Sequence, residues 1–501
     1  MTQVSDFVLG LLQLLSYLFV LAVGLAVLWV VVLYVRDKTQ TESTLRRNYP
    51  VIARFRYLFE HMGEFLRQYF FALDREEMPF NRAERSWVYR AAKNVDSTVA
   101  FGSTRDLRPT GTVYFVNCPF PELTEDQTEP TAVTVGPYAR KPYTTDSYFN
   151  ISAMSFGALS VPAVRALSHG AKKAGIWLNT GEGGLSPYHL EGGADIVFQI
   201  GTGKFGVRKP EGGFDDDKLR AVAEHDAVKM FELKLSQGAK PGKGGILPGE
   251  KVTEEIAAIR GIEVGKAAIS PNRHPEVDCV DDLLDMLNHI RDLTGKPVGF
   301  KAVVGAYGFF DDLCEAILKR GIESAPDFIT IDSADGGTGA APMSLIDNMG
   351  VPVRESLPLV VNVLIRHGLR DRIKVCASGK MINPSEVAWA FCAGADFVNS
   401  ARGFMFALGC IQALQCNKNT CPTGITTHDA KLQYGLDPTN KAERVAYYAK
   451  NMRKEVGTIA HSCGASEPRK LQRYHARTVL DNGRSVSLSE LFPEPEVRGE
   501  A

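Results

Sequence analysis

Cys410, Cys416 and Cys421 stand close together with spacing C-x5-C-x4-C, and Pro422 follows at once. Thiolates are soft ligands, so thiols this near in sequence suit a soft metal, and a trailing proline is common where a ligand loop must be held. A cluster of three irons would take one thiolate on each iron and need no further ligand. Zinc would want a fourth donor to complete a tetrahedron, either His428 or the more distant His461 and Cys463. Spacing alone also allows chance adjacency. The other six cysteines, Cys118, Cys279, Cys314, Cys376, Cys392 and Cys463, are scattered, and they read as small buried hydrophobes. Two glycine clusters, Gly181-Glu182-Gly183-Gly184 and Gly336-Gly337-Thr338-Gly339, would let backbone approach a ligand closely.

The elements that must position these groups alternate along the chain. From about residue 148, short apolar or β-branched runs exchange with helix-length amphipathic stretches, the pattern of a parallel sheet with helices outside. Strands are expected at 149–153, 176–179, 196–200, 230–235, 267–269, 298–303, 328–332, 373–377 and 397–399. That is one more than an α/β (β/α)8 TIM barrel holds, and 196–200 is the run expected to lie off it. Polar and glycine-rich residues gather at the C-terminal ends of the runs, the face where barrel enzymes build their sites. An open doubly wound sheet would begin with a strand running into a G-x-G-x-x-G turn, and no such turn stands in that context.

Residues 7–35 carry no charge, which is long enough to cross a bilayer as a helix. A cleaved signal peptide would want a basic start; here Asp6 precedes the stretch, and Arg36, Lys38, Arg46 and Arg47 come after it. The expectation is a retained single-pass anchor with everything beyond it on the cytoplasmic side, where a reducing milieu suits free thiols. Residues 40–105 read as polar and aromatic helices bearing Arg54, Arg56, Arg67, Arg75, Arg82, Arg85 and Arg90. They carry no assignable chemistry beyond a solvated face or a juxtamembrane collar. After Asp429 the chain reads as helical and charged from Lys441 to Arg477, then as a tail with Pro493 and Pro495. The organisation expected is an anchor (1–36), a juxtamembrane region (37–147), a barrel (148–430) and a helical extension (431–501). Lys plus Arg number 57 against 58 Asp plus Glu, so no global field draws in a polyanion, and no basic stripe with interleaved aromatics supports a nucleic-acid partner.

Taken in order, several segments resemble the FMN-binding synthase domain of glutamate synthase. They are Ile151-Ser152-Ala153-Met154-Ser155-Phe156-Gly157, then Asn179-Thr180-Gly181-Glu182-Gly183-Gly184, then Gln237-Gly238-Ala239-Lys240-Pro241-Gly242-Lys243-Gly244-Gly245 with Leu247-Pro248-Gly249. Lys301, Asp335-Gly336-Gly337-Thr338-Gly339-Ala340-Ala341-Pro342, and the cysteine cluster with Pro422-Thr423-Gly424 complete the series. Each segment alone is a weak signal; the ordered set over 148–430 is specific. The resemblance implies FMN and a [3Fe–4S] cluster on Cys410, Cys416 and Cys421. The chain opens on Met1-Thr2 and an apolar stretch, not on a glutaminase domain with a cysteine nucleophile. It therefore resembles the stand-alone, membrane-anchored members of the family.

From that resemblance, FMN would lie across the barrel mouth. Its phosphate would be held by the loops after the last two strands, Ser378-Gly379-Lys380 and Ser400-Ala401-Arg402-Gly403. Met154 and Ser155 would line the flavin together with Gly336, Gly337 and Gly339. Lys301 would face the ring, its alternative being an interior lysine paired with a carboxylate. Lys240 and Arg260 would take the two carboxylates of 2-oxoglutarate, with Ser155 and Gln237 assisting and Glu182 or Lys240 moving protons. The activity implied is reductive amination of 2-oxoglutarate to glutamate with ammonia, free or from a separate amidotransferase. Its alternatives are synthesis of an N-substituted glutamate from an amine, or electron transfer without turnover. Asn272-Arg273-His274-Pro275 departs from the family pattern, and Arg273 is expected near the mouth as a possible second anion contact. No ferredoxin-type cysteine repeat and no dinucleotide fingerprint is present, so the electrons are expected from a partner protein or a membrane carrier.

Overall fold

The computed structural model describes residues 2–123, 128–306 and 308–497. It divides into two compact units, Met1–Ala83 and Glu84–Ala501. In the first, one helix, Thr2–Thr39, takes in the whole uncharged stretch and ends on Arg36 and Lys38. It is long and apolar enough to cross a bilayer, and its most apolar window is wholly unburied. Helices Thr44–Asn48 and Ile52–Leu66 follow, the latter running on into a turn of π-helix at Arg67–Phe71.

The second unit is built on a closed eight-stranded parallel barrel. Its strands are β1 (Phe149–Ile151), β2 (Leu178–Asn179), β3 (Ile196–Ile200), β4 (Val228–Lys234), β5 (Val298–Ala302), β6 (Phe328–Asp332), β7 (Lys374–Ser378) and β8 (Phe397–Ser400). They neighbour one another in chain order, and Val398 pairs with Phe149 to close the ring. Strands buried on both faces read as near-continuous apolar runs, as Ile-Val-Phe-Gln-Ile of β3 does. That run was expected off the barrel and is in it, all five residues buried between β2 and β4. The run off the barrel is Ala268–Ile269, which pairs antiparallel with Ile246–Leu247 at the mouth. Two residues with Ile269 exposed, checked by Ser270-Pro271, cannot supply a strand covered on both faces.

The interior is layered. At the N-terminal floor, Trp177, Val197, Met230, Phe328, Cys376 and Phe397 pack with Val135 and Tyr143 of an antiparallel hairpin, Val133–Val135 with Tyr143–Thr145. Two residues further along the strands come Asn179, Gln199, Glu232, Thr330 and Ser378, and after another two come Lys234 and Asp332. Inward positions recur with period two, so the barrel turns from apolar to charged toward its C-terminal mouth.

Two further expectations change. After Asp429 come a short helix, Ala430–Gln433, and the long helix Pro438–Ser462, which does not reach Arg477; Gly464, at φ +81°, breaks it. The chain then forms Ala476–Val479 and Ser485–Ser487, which join Val113–Phe115 in an antiparallel sheet. Arg85, expected on a solvated face, is only 5% exposed within helix Arg82–Ala92.

At the barrel floor, Asp327 is fully buried; its Oδ2 accepts from Arg291 Nε at 2.9 Å and the Val298 amide at 2.8 Å, and its Oδ1 forms an ion pair with Arg372 Nη2 at 3.0 Å. Removing one member of a buried charge group strands the others. Asp327→Ala should therefore cost about 3–5 kcal/mol, read as a lower urea midpoint of the barrel transition.

Candidate active site

A cavity of about 1070 Å³, including its open mouth, lies where the C-terminal strand ends meet. Glu182 enters it from the short 3-10 turn Gly181–Gly183 that follows β2. Its Oε1 accepts from Lys234 Nζ at 3.0 Å. A Cβ on Gly201 or Gly245 would stand 2.6 or 2.2 Å from the nearest atoms of this side chain, so both must be glycine for the carboxylate to fit. Lys234 also donates to Gln237 Oε1 at 2.8 Å, and Gln237 Nε2 donates to the Gly337 carbonyl at 3.2 Å.

Lys240 stands in the loop after β4 and is only 6% exposed. Burial, with help from Lys234, pulls its ammonium down to about 8, while Glu182 opposes the fall. Arg260 is the last residue of helix Glu254–Arg260, whose start is capped by Thr253 and whose end turns at Gly261. Its Nη2 donates to the Phe156 carbonyl at 3.1 Å, and its plane lies over the Phe205 ring. Its Nε is buried with no hydrogen-bond partner. Burial lowers the guanidinium to about 10, against the pull of Glu182. Burial would raise Glu182, but Lys234, Lys240 and Arg260 outweigh it and hold the carboxyl low. Three cations thus surround one carboxylate, and the cavity is left with an excess of positive charge beside an unused donor.

Lys301 on β5 sits in register with Lys234 on β4 and lines the same cavity. It pairs with Asp332 Oδ2 at 3.2 Å; Asp332 and Glu232 together overcome burial and raise it. Lys301 is thus an interior lysine paired with a carboxylate that also lines the cavity. Beneath it, Glu232 accepts from Gln199 Nε2 at 2.7 Å, Asn179 Nδ2 at 2.9 Å and Thr330 Oγ1 at 2.6 Å.

Met154, Ser155, Gly337, Gly339, Ala401 and Arg402 line the cavity; Gly336, Ser378, Gly379 and Lys380 do not. Of the two loops expected to hold a phosphate, the one after β7 (Ser378-Gly379-Lys380) stands outside the lining, and the one after β8 contributes Ala401 and Arg402 to it. A Cβ on Gly336 would lie 3.7 Å from the Cα atoms of both Gly238 and Gly379, so three backbones meet there without side chains between them. Gly379 is at φ +110°, and a Cβ would come within 2.3 Å of Ser333 Cβ. Lys380 is held by Asp335 at 2.9 Å. Arg402 donates to the Thr338 carbonyl, and its Nη1 is 3.9 Å from Cys416 Sγ. Arg273 does not line the cavity; it folds onto its own loop, with Asp278 at 2.6 Å and the His274 and Val277 carbonyls.

Cys416 lines the cavity, and Cys416 and Cys421 are both close enough to the buried Cys410 to act on it electrostatically. Among the described residues, no three His, Cys, Asp or Glu side chains converge to hold a single metal ion. Of the extra zinc donors, the two histidines are committed elsewhere: His428 Nε2 to the Gly157 carbonyl at 2.8 Å, and His461 Nε2 to the Ser466 carbonyl at 3.2 Å. Cations flank the thiols instead. Lys251, buried by the cysteine loop, donates to the carbonyls of Cys416 at 2.9 Å and Thr426 at 2.5 Å, and more weakly to Ala158 at 3.4 Å. The successive carbonyls of Phe156, Gly157 and Ala158 are therefore taken by Arg260, His428 and Lys251 in turn.

A family model described as "Conserved region in glutamate synthase" matches residues 121–466. The chain belongs to the glutamate synthase family. It is 40% identical over 499 residues to the "Glutamate synthase large subunit-like protein YerD" of Bacillus subtilis, covering 92% of this chain and 94% of that one. It is 35% identical over 357 residues to the "Archaeal glutamate synthase [NADPH]" of Methanocaldococcus jannaschii, covering 71% of this chain and 65% of that one. The chain thus spans less than two thirds of the length of that glutamate synthase. Among solved structures, an oxidised active mutant of (S)-mandelate dehydrogenase aligns over 73% of this chain and 88% of that one, with a TM-score of 0.47 and 14% identity.

Lys234, Gln199 and Lys251 were not anticipated from sequence. Lys234 had a readable signal: it ends an apolar strand, as Lys301 does. If Lys240 titrates as its surroundings dictate, its acylation by acetic anhydride, followed by peptide mass spectrometry, should reach half its limiting rate near pH 8. Glu182→Gln removes the carboxylate that raises Lys240, so that midpoint should move to lower pH.

Proposed function

We propose that this glutamate synthase family member reductively aminates a 2-oxo diacid, 2-oxoglutarate, to glutamate on the cytoplasmic face of a membrane that helix Thr2–Thr39 spans. The observation that carries the reading is the buried Arg260, with an unsatisfied Nε, beside Lys240, Lys234 and the single carboxylate Glu182. A diacid brings two negative charges, which the excess cations balance, and an acceptor for the idle donor.

The cavity also suits a flavin. The cations Lys301 and Arg402 on its wall suit a planar ring system that ends in a phosphate, and the side-chain-free meeting of Gly238, Gly336 and Gly379 lies outside the lining, among the loops after β4, β6 and β7. FMN bound there would supply hydride to the carbon of the aminated 2-oxo group. Around the thiols, Lys251 and Arg402 offset negative charge, which supports a polynuclear iron–sulfur cluster of the [3Fe–4S] kind on Cys410, Cys416 and Cys421. Ammonia or an amine, an electron-donor protein or membrane carrier, and a separate amidotransferase complete the set of proposed partners.

The chain's own residues then divide the work. Arg260 and Lys240 clamp the carboxylates and fix which face of the 2-oxo carbon is presented. Gln237, held by Lys234, and Ser155 border the same space. Glu182 stays ionised and keeps the cations from repelling one another. Lys240, titrating near neutrality, is placed to give and take a proton at Nζ while ammonia displaces the 2-oxo oxygen as water.

The test is anaerobic reoxidation of the reduced, membrane-reconstituted holoenzyme by 2-oxoglutarate with ammonia. Turnover only with glutamate and methylamine, or with neither pair, overturns the reading. Lys240 is cationic below its pKa and neutral above it, so the KM for 2-oxoglutarate should climb as pH rises through 8. Lys240→Met should raise KM at pH 7 by about tenfold or more and abolish that climb.

A further inference from the structure

Ile52–Leu66 is an amphipathic helix, and its π-helical turn, Arg67–Phe71, prolongs it. At 100° per residue, Ile52, Phe55, Leu58, Phe59 and Met62 fall on one stripe. All are exposed, Ile52 at 71% and Phe59 at 64%, and Phe70 continues the stripe at 75%. Arg54 and Arg56 flank the stripe, and the opposite face carries Tyr57, Glu60, His61, Glu64 and Arg67. A soluble helix would turn such a stripe toward a core; this one presents aromatic side chains outward.

Two features of the same unit identify what covers the stripe. The first is position. Asp37, at the end of the long apolar helix, is fully buried and accepts from Arg54 Nε at 2.9 Å, Arg54 Nη2 at 2.6 Å and the Val51 amide at 3.0 Å. Gln40 closes the intervening turn, donating to the Asp37 and Ser43 carbonyls at 3.0 and 2.8 Å and accepting from the Ser43 amide at 2.7 Å. The first turn of the amphipathic helix is thereby pinned to the end of the apolar one. The second is charge. From Thr44 to Phe59 there are four arginines, Arg46, Arg47, Arg54 and Arg56, and no acidic residue, in a chain whose net charge is −1.

We infer that Ile52–Leu66 and the turn after it lie in the headgroup layer of an anionic bilayer, with the aromatic stripe facing the acyl chains and Arg46, Arg47 and Arg56 the lipid phosphates. A helix with this division of faces binds in the plane of the interface, and basic residues add attraction to anionic lipid. This rests on the reading that Thr2–Thr39 spans the membrane: a span ending at Asp37 delivers the pinned helix to the depth where such a stripe is buried. The chain is then held at two points, and the Asp37–Arg54 pair fixes the angle between them.

The test uses the full chain in nanodiscs of phosphatidylcholine with phosphatidylglycerol, carrying one environment-sensitive fluorescent amino acid at a time. The variants are Phe59→Anap on the stripe, Glu60→Anap on the polar face and Leu21→Anap within the span. Lipids spin-labelled near the headgroup should quench the Phe59→Anap probe at least about threefold more than the Glu60→Anap probe. Replacing phosphatidylglycerol by phosphatidylcholine should weaken that quenching. Lipids labelled at the chain terminus should quench Leu21→Anap. Equal, water-like behaviour of the Phe59→Anap and Glu60→Anap probes while Leu21→Anap is quenched overturns the interfacial helix and leaves the span. An unquenched Leu21→Anap probe removes the span and this inference with it. Shielding of the Phe59→Anap probe that grows with the number of chains per disc, and not with lipid, assigns the stripe to a second copy and also overturns the inference.

Discussion

A carboxylate in the middle of a closed barrel has no water to turn to, so every lone pair must be met by a side chain. Glu232 satisfies that demand with Asn179, Gln199 and Thr330, drawn from three other strands. The arrangement holds β2, β3, β4 and β6 in one register and gives the layer above it a negative floor. On that floor Lys301 is kept charged, Asp332 is shared between Lys301 and the Gly238 amide, and Gln199 is fixed at the cavity wall. The mouth would be a different shape if Glu232 were apolar, because the loop after β4, which bears Gln237 and Lys240, is tied down through Gly238.

The charges at the mouth follow the same rule in looser form. Glu182 is ionised because three cations crowd it, and Lys240 titrates near neutrality because burial and Lys234 work against it. Each group is perturbed by the others, so the site behaves as a unit. Removing Glu182 would shift Lys240 and Arg260 together, and single substitutions here will not add. The glycines at 201 and 245 belong to this unit as much as the charged residues do, since they make the space in which Glu182 meets Lys234.

Much of this was legible in the chain itself. The barrel followed from alternating apolar runs and helices, and the mouth from the polar residues at their ends. Ordered motifs pointed to Glu182, Gln237, Lys240, Arg260 and Lys301, all of which share one cavity. The misreadings have physical causes. The run 196–200 looked surplus because buried strands and isolated apolar runs share one pattern, whereas Ala268–Ile269 was too short for its β-propensity to mean much. The strands Ala476–Val479 and Ser485–Ser487 were hidden because they pair with Val113–Phe115, some 360 residues earlier, and no local signal records a partner so distant. Lys251 escaped because its role is to hold carbonyls of the cysteine loop, and carbonyls leave no trace in side-chain identity. Arg273 drew attention as a loop cation, yet its own loop supplies its partners.

The ring also sets an order of events during synthesis. Phe149 leaves the ribosome roughly 250 residues before Val398, its neighbour in the closed sheet. Until that partner arrives, β1 presents an open edge of buried-type side chains. The helix Pro438–Ser462, which packs so tightly on Val161–Ala174 that a Cβ at Gly170 would stand 2.5 Å from Val445, arrives later still. Nascent chains therefore spend about half of translation with an unsealed seam, the state in which aggregation competes with folding. A truncation that removes β8 would leave that seam open for good, however stable the finished barrel is.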